Sequence, residues 1–346
     1  MAISALNLLN FRNHINLELG DFCNSNNFII GPNGSGKTNI LEALSLLAPG
    51  RGLRSAKGAE IFTNTGGEIY PNWAAHFEIA DNTYHISCAV NNGRESKLIK
   101  LDQQLLRGSN KLLERLKVVW LTPQMCHLFI QGAAERRKFL DRIVYNHIPN
   151  HADLLNNYTK LVRSRMHLLK EQSYDPTWIA TLEHQIAESA LEIISSRVQV
   201  VKRLQAQLST YDWNWKPEVA LELSYDPEEN GWEVESYQRR LAENRSRDGL
   251  IGRTSIGPHR DDVNFVHSVK KMPGRFCSTG EQKNAVIKLI LAHLAGLQDE
   301  CEMPIILLLD DVFAHIDDYN KEIILSSLND AKSVQKWITA TSDDLT

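Results

Sequence analysis

The chain has 346 residues, 42% hydrophobic and 23% charged, with a formal net charge of −4. That length suffices for two compact domains, and the charge balance gives no global basic signal, so nucleic-acid binding would have to rest on local patches. Five cysteines, Cys23, Cys88, Cys126, Cys277 and Cys301, form no CxxC pair and no metal spacing, which points to reduced thiols and a cytoplasmic location.

In chain order, the opening MAISALNLLNFRN lacks the basic segment of a signal peptide. The apolar FII at 28–30 runs into a glycine loop and then the helical pattern TNILEALSLL. WAAHFEIA and TYHISCAV read as two alternating strands joined by a turn at Asp81-Asn82, and LKVVWLTP at 116–123 reads as a short buried strand. From 151 the period changes. Leu155, Val162, Met166 and Leu169 recur at helical spacing, SYDP at 173–176 breaks the helix, and Ile179, Leu182, Ile186, Ala190 and Ile193 begin a second. The pair predicts a short antiparallel hairpin, because a 30-residue helix is only about 45 Å long. VALELSY at 219–225 alternates, ESYQRRLAENRSRD reads as a polar helix, and VNFVHSV as a strand. CSTGEQKN at 277–284 then leads into a helix over 284–297, and PIILLLDDVF closes the pattern with a buried strand. Its IILLL, the longest aliphatic run, is far too short to cross a membrane.

GPNGSGKTN at 31–39 fits G-x-x-x-x-G-K-[ST] through Gly31, Gly36, Lys37 and Thr38, between an apolar strand and a helical pattern. Glycines let backbone N–H groups close around phosphate oxygens, and the helix start adds the positive end of its dipole. The candidate ATP cradle is therefore Gly31, Pro32, Asn33, Gly34, Ser35, Gly36, Lys37, Thr38 and Asn39, with Lys37 reaching the β- and γ-phosphates and Thr38 ligating Mg²⁺. Alone, LLLDD would be a strand running into a turn. After a P-loop, Asp310 becomes the candidate Mg²⁺ ligand through water and Asp311 the group that orients or deprotonates the attacking water. The two Asn-Lys pairs, at 110–111 and 320–321, lack the aspartate of a guanine-reading motif, which excludes a GTPase reading. The serine-glycine helix start at 278–283, ahead of the acidic strand, follows the order of ABC-type ATPases.

Together these residues resemble the RecF family, bacterial recombination-mediator ATPases related to the SMC and Rad50 heads. LNLLNFRNH, GPNGSGKTNILEAL, GRGLRSAKGAEI, RRKFLDRIV, IGPHRDDV, STGEQK and LLLDDVFAHID carry the likeness over nearly the whole chain. No long coil separates the halves, which favours RecF over SMC or Rad50. The resemblance implies an α/β ABC-type P-loop head built from residues 1–133 and 251–346, with a mainly helical lobe at 134–250 between them. It implies ATP and Mg²⁺ as cofactors, slow DNA-stimulated hydrolysis, and a head-to-tail homodimer around ATP. In that dimer the signature residues Ser278, Gly280, Gln282 and Lys283 face the partner's nucleotide.

Gln124 departs from the family, which often has an acidic residue there, and as a glutamine it suits a Q-loop contact to Mg²⁺ or water; the resemblance further implies Asp317 as the D-loop carboxylate, and Arg12 and Asn13 beside adenine or ribose. No switch histidine stands in KWITATSDD, so Thr339 or Thr341 is expected to sense the γ-phosphate. The family works on duplex DNA and single-strand/duplex junctions in replication and recombinational repair, with RecR and RecO as expected partners. Candidate DNA contacts are Arg51, Arg54 and Lys57, then Arg136, Arg137 and Lys138, with Arg163, Arg165, Lys270, Lys271 and Arg275 as further cations. Any one cluster taken alone reads as a solvated face, and Arg137 has Asp141 four residues on as an internal partner. His259, Asp261 and Asp262 have weak metal spacing, and a structural or nucleotide-proximal loop with Arg260 making the contact is the better reading. The opposing hypothesis is a nucleotide-gated DNA-binding scaffold with negligible hydrolysis. A transporter ATPase subunit is disfavoured by the split head and the absence of LSGGQ.

Overall fold

The computed structural model describes residues 3–65, 68–79, 84–90, 97–106, 108–171, 175–210, 219–224, 233–313, 318–331 and 333–341. The chain divides into two compact units, one of Met1–Cys126 with Val286–Thr346 and one of His127–Ala285.

The first unit is built on two main sheets. A parallel sheet runs in the order Lys117–Leu121, Ile305–Leu309, Val334–Ala340, Asn26–Ile30. Its first three strands are buried at every position. A parallel strand covered on both faces has no solvent side to alternate toward, which is why IILLL reads as an unbroken apolar run. A six-stranded antiparallel sheet has the order His14–Gly20, Ile3–Phe11, Trp73–Ile79, Tyr84–Val90, Leu98–Leu101, Gln104–Leu106. The expected pairing of the two alternating segments is present, with Trp73 opposite Val90 and Ile79 opposite Tyr84. The turn at Asp81-Asn82 lies outside the described residues. Gln335 joins the sheets: its amide accepts from the Ile3 N–H at 3.0 Å and donates to the Ile3 carbonyl at 2.9 Å. Trp73 packs edge-on against Phe11 and donates its indole N–H to the Gly58 carbonyl.

The second unit contains the helices His151–Glu171 and Pro176–Thr210, which match the expected pair. Asp175 caps the second helix by accepting the Thr177 N–H, and Pro176 occupies the first helical position, where its missing N–H costs nothing. At 35 residues this helix is about 52 Å long, still a stub rather than an extended arm. Its Ile179, Ile186 and Ile193 share a core with Tyr158, Leu168 and Leu169. The polar segment expected as one helix is two, Val234–Glu243 and Arg245–Ile251, with Asn244 out of helical geometry between them.

A small sheet pairs Val219–Leu223 with Val263–His267, and the latter with Met272–Pro273. That pairing accounts for a difference in organisation. Residues 251–285, grouped by sequence with the C-terminal part of the head, pack with the helical unit, so the divisions fall at 126/127 and 285/286. The helix expected over 284–297 begins earlier, as Thr279–Glu300, and carries the chain from the second unit into the first.

Candidate nucleotide-binding site

The strand Asn26–Ile30 delivers the chain into the glycine loop, and the helix Lys37–Ser45 leaves it. Gly36 has φ +98°, and a Cβ there would lie 2.7 Å from atoms of Asn13 and His14, so both backbone shape and space demand glycine. Pro32, Asn33, Gly34 and Ser35 are exposed, and Gly31 donates its N–H to the Ala340 carbonyl. Lys37 is buried with its ammonium in the loop, 2.7 Å from the Gly31 carbonyl and 3.2 Å from that of Pro32. Buried there without a carboxylate contact, it is a cation aimed at the anion cradle.

The parallel sheet brings the acidic strand to the loop. The Thr38 hydroxyl donates to Asp310 Oδ1 at 2.8 Å, and Asp310 N–H bonds the Leu121 carbonyl. Thr339, on the strand between, donates its hydroxyl to Asp310 Oδ1 at 3.0 Å and accepts the Asp311 N–H at 2.9 Å. Thr339 is therefore buried against both aspartates and orients them. Asp311 is half-buried with φ +44°, a left-handed conformation that the Thr339 bond helps to hold.

Among the described residues no cluster of three or more His, Cys, Asp or Glu could hold a metal. The donor set suits Mg²⁺ all the same: one hydroxyl and one carboxylate converge, and Mg²⁺ completes its shell with water and phosphate oxygens. Gln124 is exposed on the turn Pro123–His127, three residues beyond the Leu121 carbonyl that touches Asp310. Asp317 lies outside the described residues.

Sequence reasoning missed the group that organises the flank of the loop. Glu42, fully buried on the P-loop helix, accepts two bonds from Arg12, at 2.6 and 2.9 Å, and one from Arg54 at 3.1 Å. Arg12 also donates to the Glu60 carbonyl, so its guanidinium is directed to Glu42 and Glu60. Arg54 bonds Asn39 Oδ1 at 2.7 Å, and Asn39 in turn donates to Asn13 Oδ1 at 2.6 Å. Burial holds the nearby His14 below the usual imidazole range, against the pull of its contact with the Gly36 carbonyl.

In the second unit, Ser278 caps the helix Thr279–Glu300. The Ser278 N–H and hydroxyl both reach Glu281 Oε2, at 2.9 and 3.0 Å, and Glu281 N–H returns to the Ser278 oxygen at 3.3 Å. This is a capping box, which the S-x-x-E spacing announces. The Glu281 carboxyl is held down at about 2, first by its bond from Lys270 and then by Ser278. Ser278, Thr279 and Gly280 are exposed. Gln282, expected to face a partner, is buried and donates to the Cys277 carbonyl. Lys283 is half-buried.

Several expected DNA contacts are engaged internally. Arg136 makes two 2.7 Å bonds to Asp262 and a further bond to the Gln131 carbonyl. Arg137 donates to the Asp261 carbonyl rather than pairing with Asp141, which is bound in bidentate fashion by Arg197. Lys138 pairs with Glu135 on the surface. Arg165 is fully buried between Glu183 and Asp248. Lys270 belongs to Glu281, and Arg275 stacks on Phe276. Lys57 donates its backbone N–H to Glu60. Arg51, Arg163 and Lys271 are exposed.

The loop 256–262 is structural rather than metal-binding. His259 Nε2 donates to the Thr254 carbonyl, and Nδ1 accepts from the Tyr158 hydroxyl at 2.6 Å, so both ring nitrogens are in use. Burial holds His259 below its usual range. Asp261 receives only a single 3.2 Å contact from Arg197, and burial pushes it up to about 6.

A family model described as "RecF/RecN/SMC N terminal domain" matches residues 2–346. A curated relative from Rickettsia akari, "DNA replication and repair protein RecF", is 36% identical over 98% of this chain and 94% of its own length. The chain belongs to the RecF family. A RecF-named relative from Mesorhizobium japonicum is 37% identical over 98% of this chain and 91% of its own. A solved structure of the recombination mediator protein RecF with ATP, in the RecFOR pathway, superposes with TM-score 0.85 at 27% identity, over 99% of this chain and 92% of that one. An SMC head bound to the C-terminal winged-helix domain of ScpA shares the fold, with TM-score 0.57 at 15% identity, over 100% of this chain and 91% of that one. The RecF-family chain thus has the ABC-type head fold and the DNA replication and repair setting of its family. Among the described residues no helix is long and apolar enough to cross a membrane.

Proposed function

We propose that this chain binds ATP with Mg²⁺, closes head to tail on a second copy around the nucleotide, and hydrolyses it while bound to duplex DNA or a single-strand/duplex junction. In this reading it promotes recombinase loading in the cytoplasm, with RecR and RecO as partners. The observation that carries the proposal is the 2.8 Å bond from Thr38 to Asp310, which sets the P-loop hydroxyl beside the acidic strand. Thr38 and Asp310 would hold the metal, Lys37 would hold the phosphates, and Asp311 would position the attacking water. Bound Mg²⁺ supplies charge neutralisation at the phosphates. Ser278 and Gly280 are exposed at a helix N-terminus, and a γ-phosphate presented by the second copy would take the Ser278 donors from Glu281.

The test is sedimentation with ATP, ADP and a non-hydrolysable analogue. ATP and the analogue should produce a dimer, and Ser278→Arg should stay monomeric while still binding ATP. Asp311→Asn should bind and dimerise without turnover. A mass independent of nucleotide would refute the dimer, and unchanged phosphate release by Asp311→Asn would remove Asp311 from catalysis. Turnover with and without duplex DNA separates this reading from a scaffold that only clamps.

A further inference from the structure

The stretch RDGLIGRTSIGPHRDD, residues 247–262, carries three aspartates and three arginines that sort by direction. Every aspartate is bound inward. Asp248 holds Arg165 at 2.7 Å, Asp261 holds Arg197 at 3.2 Å, and Asp262 holds Arg136 at 2.7 Å. The arginines Arg247, Arg253 and Arg260 are exposed, and their guanidinium groups have no partner among the described residues. Each aspartate is engaged by an arginine from elsewhere in the unit, so the exposed side of the segment is left cationic by Arg247, Arg253 and Arg260.

The backbone that presents these arginines is pinned. Asp248 accepts the Ser255 N–H on its carboxylate and the Arg253 N–H on its carbonyl. The Thr254 carbonyl accepts from His259, so the neighbouring Arg253 and Arg260 flank one hydrogen bond. Arg197 donates to the Pro258 carbonyl at 2.7 Å, and Gly249 lies close against helix His151–Glu171, where a Cβ would sit 3.5 Å from the Leu169 carbonyl. Between Arg247 and Arg253 the chain exposes Leu250 and Ile251, at 89% and 46% of their full accessibility. No other large apolar side chain among the described residues is as exposed as Leu250.

We infer that this segment is a duplex-DNA contact, in which Arg247, Arg253 and Arg260 bind successive phosphates and Leu250 lies against the sugar or base edges of the groove. The inference rests on the DNA-binding reading proposed above and deepens it by naming the surface. The guanidinium fork matches a phosphodiester, and a pinned loop leaves only side-chain freedom to be lost on binding. An apolar side chain set among arginines is the arrangement that groove-binding proteins use to press on a base step. The sequence's own candidates Arg136, Arg137 and Lys138 serve the interior or a surface pair, whereas these three arginines have no such competitor.

The test is fluorescence anisotropy with a labelled 30-bp duplex and ATP across a salt series. The variant R247A/R253A/R260A should bind ATP normally and lose about 0.9 of slope in log K against log salt for each phosphate contact removed. L250S should weaken binding about tenfold with the slope unchanged, the mark of a lost apolar contact. A charge-matched control, K100A/K111A/R115A, should keep the wild-type slope. If the wild type binds duplex and the triple variant keeps its slope, this surface is wrong and DNA binding stands. If the control loses as much slope, the effect is net charge and the assignment fails. If the wild type binds no DNA in any nucleotide state, both readings fall. If the triple variant keeps DNA binding but loses an acidic protein partner, the surface belongs to that partner.

Discussion

Arg165 offers the sharpest test of how the second unit is held together. Its guanidinium donates to Glu183 at 3.0 Å, Asp248 at 2.7 Å, Thr254 at 3.2 Å and the Leu241 carbonyl at 2.7 Å, and all three charged side chains are fully buried. Replacing Arg165 by Met preserves most of the volume and removes the charge. Glu183 keeps Arg245, which reaches it at 2.6 Å, but Asp248 is left with only the Ser255 N–H on its carboxylate. Breaking one partner out of a buried pair costs about 3–5 kcal/mol, mostly the desolvation of the charge left behind. Hydrogen exchange on the amides of helix Pro176–Thr210 reads the opening of this unit without assuming that the whole chain unfolds in one step. Exchange should accelerate by roughly two to three and a half orders of magnitude, at about 1.4 kcal/mol per tenfold. The double variant R165M/D248L removes both charges and should recover most of the loss, because an apolar replacement of a buried pair is often neutral. Less than tenfold acceleration in R165M, or no recovery in the double variant, would refute the idea that an orphaned carboxylate sets the cost.

Thr339→Val keeps the shape of the buried side chain but deletes the hydroxyl between Asp310 and Asp311; ATP turnover should fall at least tenfold with nucleotide affinity in the absence of Mg²⁺ unchanged, as measured by phosphate release and fluorescent-nucleotide binding. Gly257 has φ +132° and its Cβ position lies 2.2 Å from the Tyr158 hydroxyl, so Gly257→Ala should cost more than about 2 kcal/mol in urea unfolding and expose Tyr158 to solvent quenching. Asp261→Asn should change the pH dependence of stability. A folded carboxyl raised to about 6 binds protons that the unfolded chain has already lost, so the wild type loses stability as pH rises from about 4 to about 6. The variant should gain on the wild type over that window, and an equal difference at pH 4.5 and pH 7 would contradict the assignment.

The elements that sequence reads well are those whose information is local. The P-loop, the buried strand ending at Asp310 and the helical pair at 151–208 each announce themselves through spacing within a few turns of chain. The capping box at Ser278 and Glu281 was equally local, and S-x-x-E was available to show that Glu281 holds the serine. Glu42 was not legible. An acidic residue on a short amphipathic helix looks solvated until the turn after the first strand folds Arg12 over it, thirty residues away in sequence.

What the sequence determines by itself, then, is the chemistry of the head: which residues can cradle a phosphate and which strand carries the carboxylates, because those demands are met by residue type at fixed intervals. Tertiary structure decides what each charge is for. Arg136 and Asp262 are 126 positions apart, and nothing in the local pattern separates that inward arginine from the outward Arg260. A guanidinium is indifferent to whether its oxygen partner is an aspartate or a phosphate. Only the folded chain, by pairing the carboxylates of 248–262 with arginines from distant elements, leaves Arg247, Arg253 and Arg260 facing solvent without a side-chain partner among the described residues.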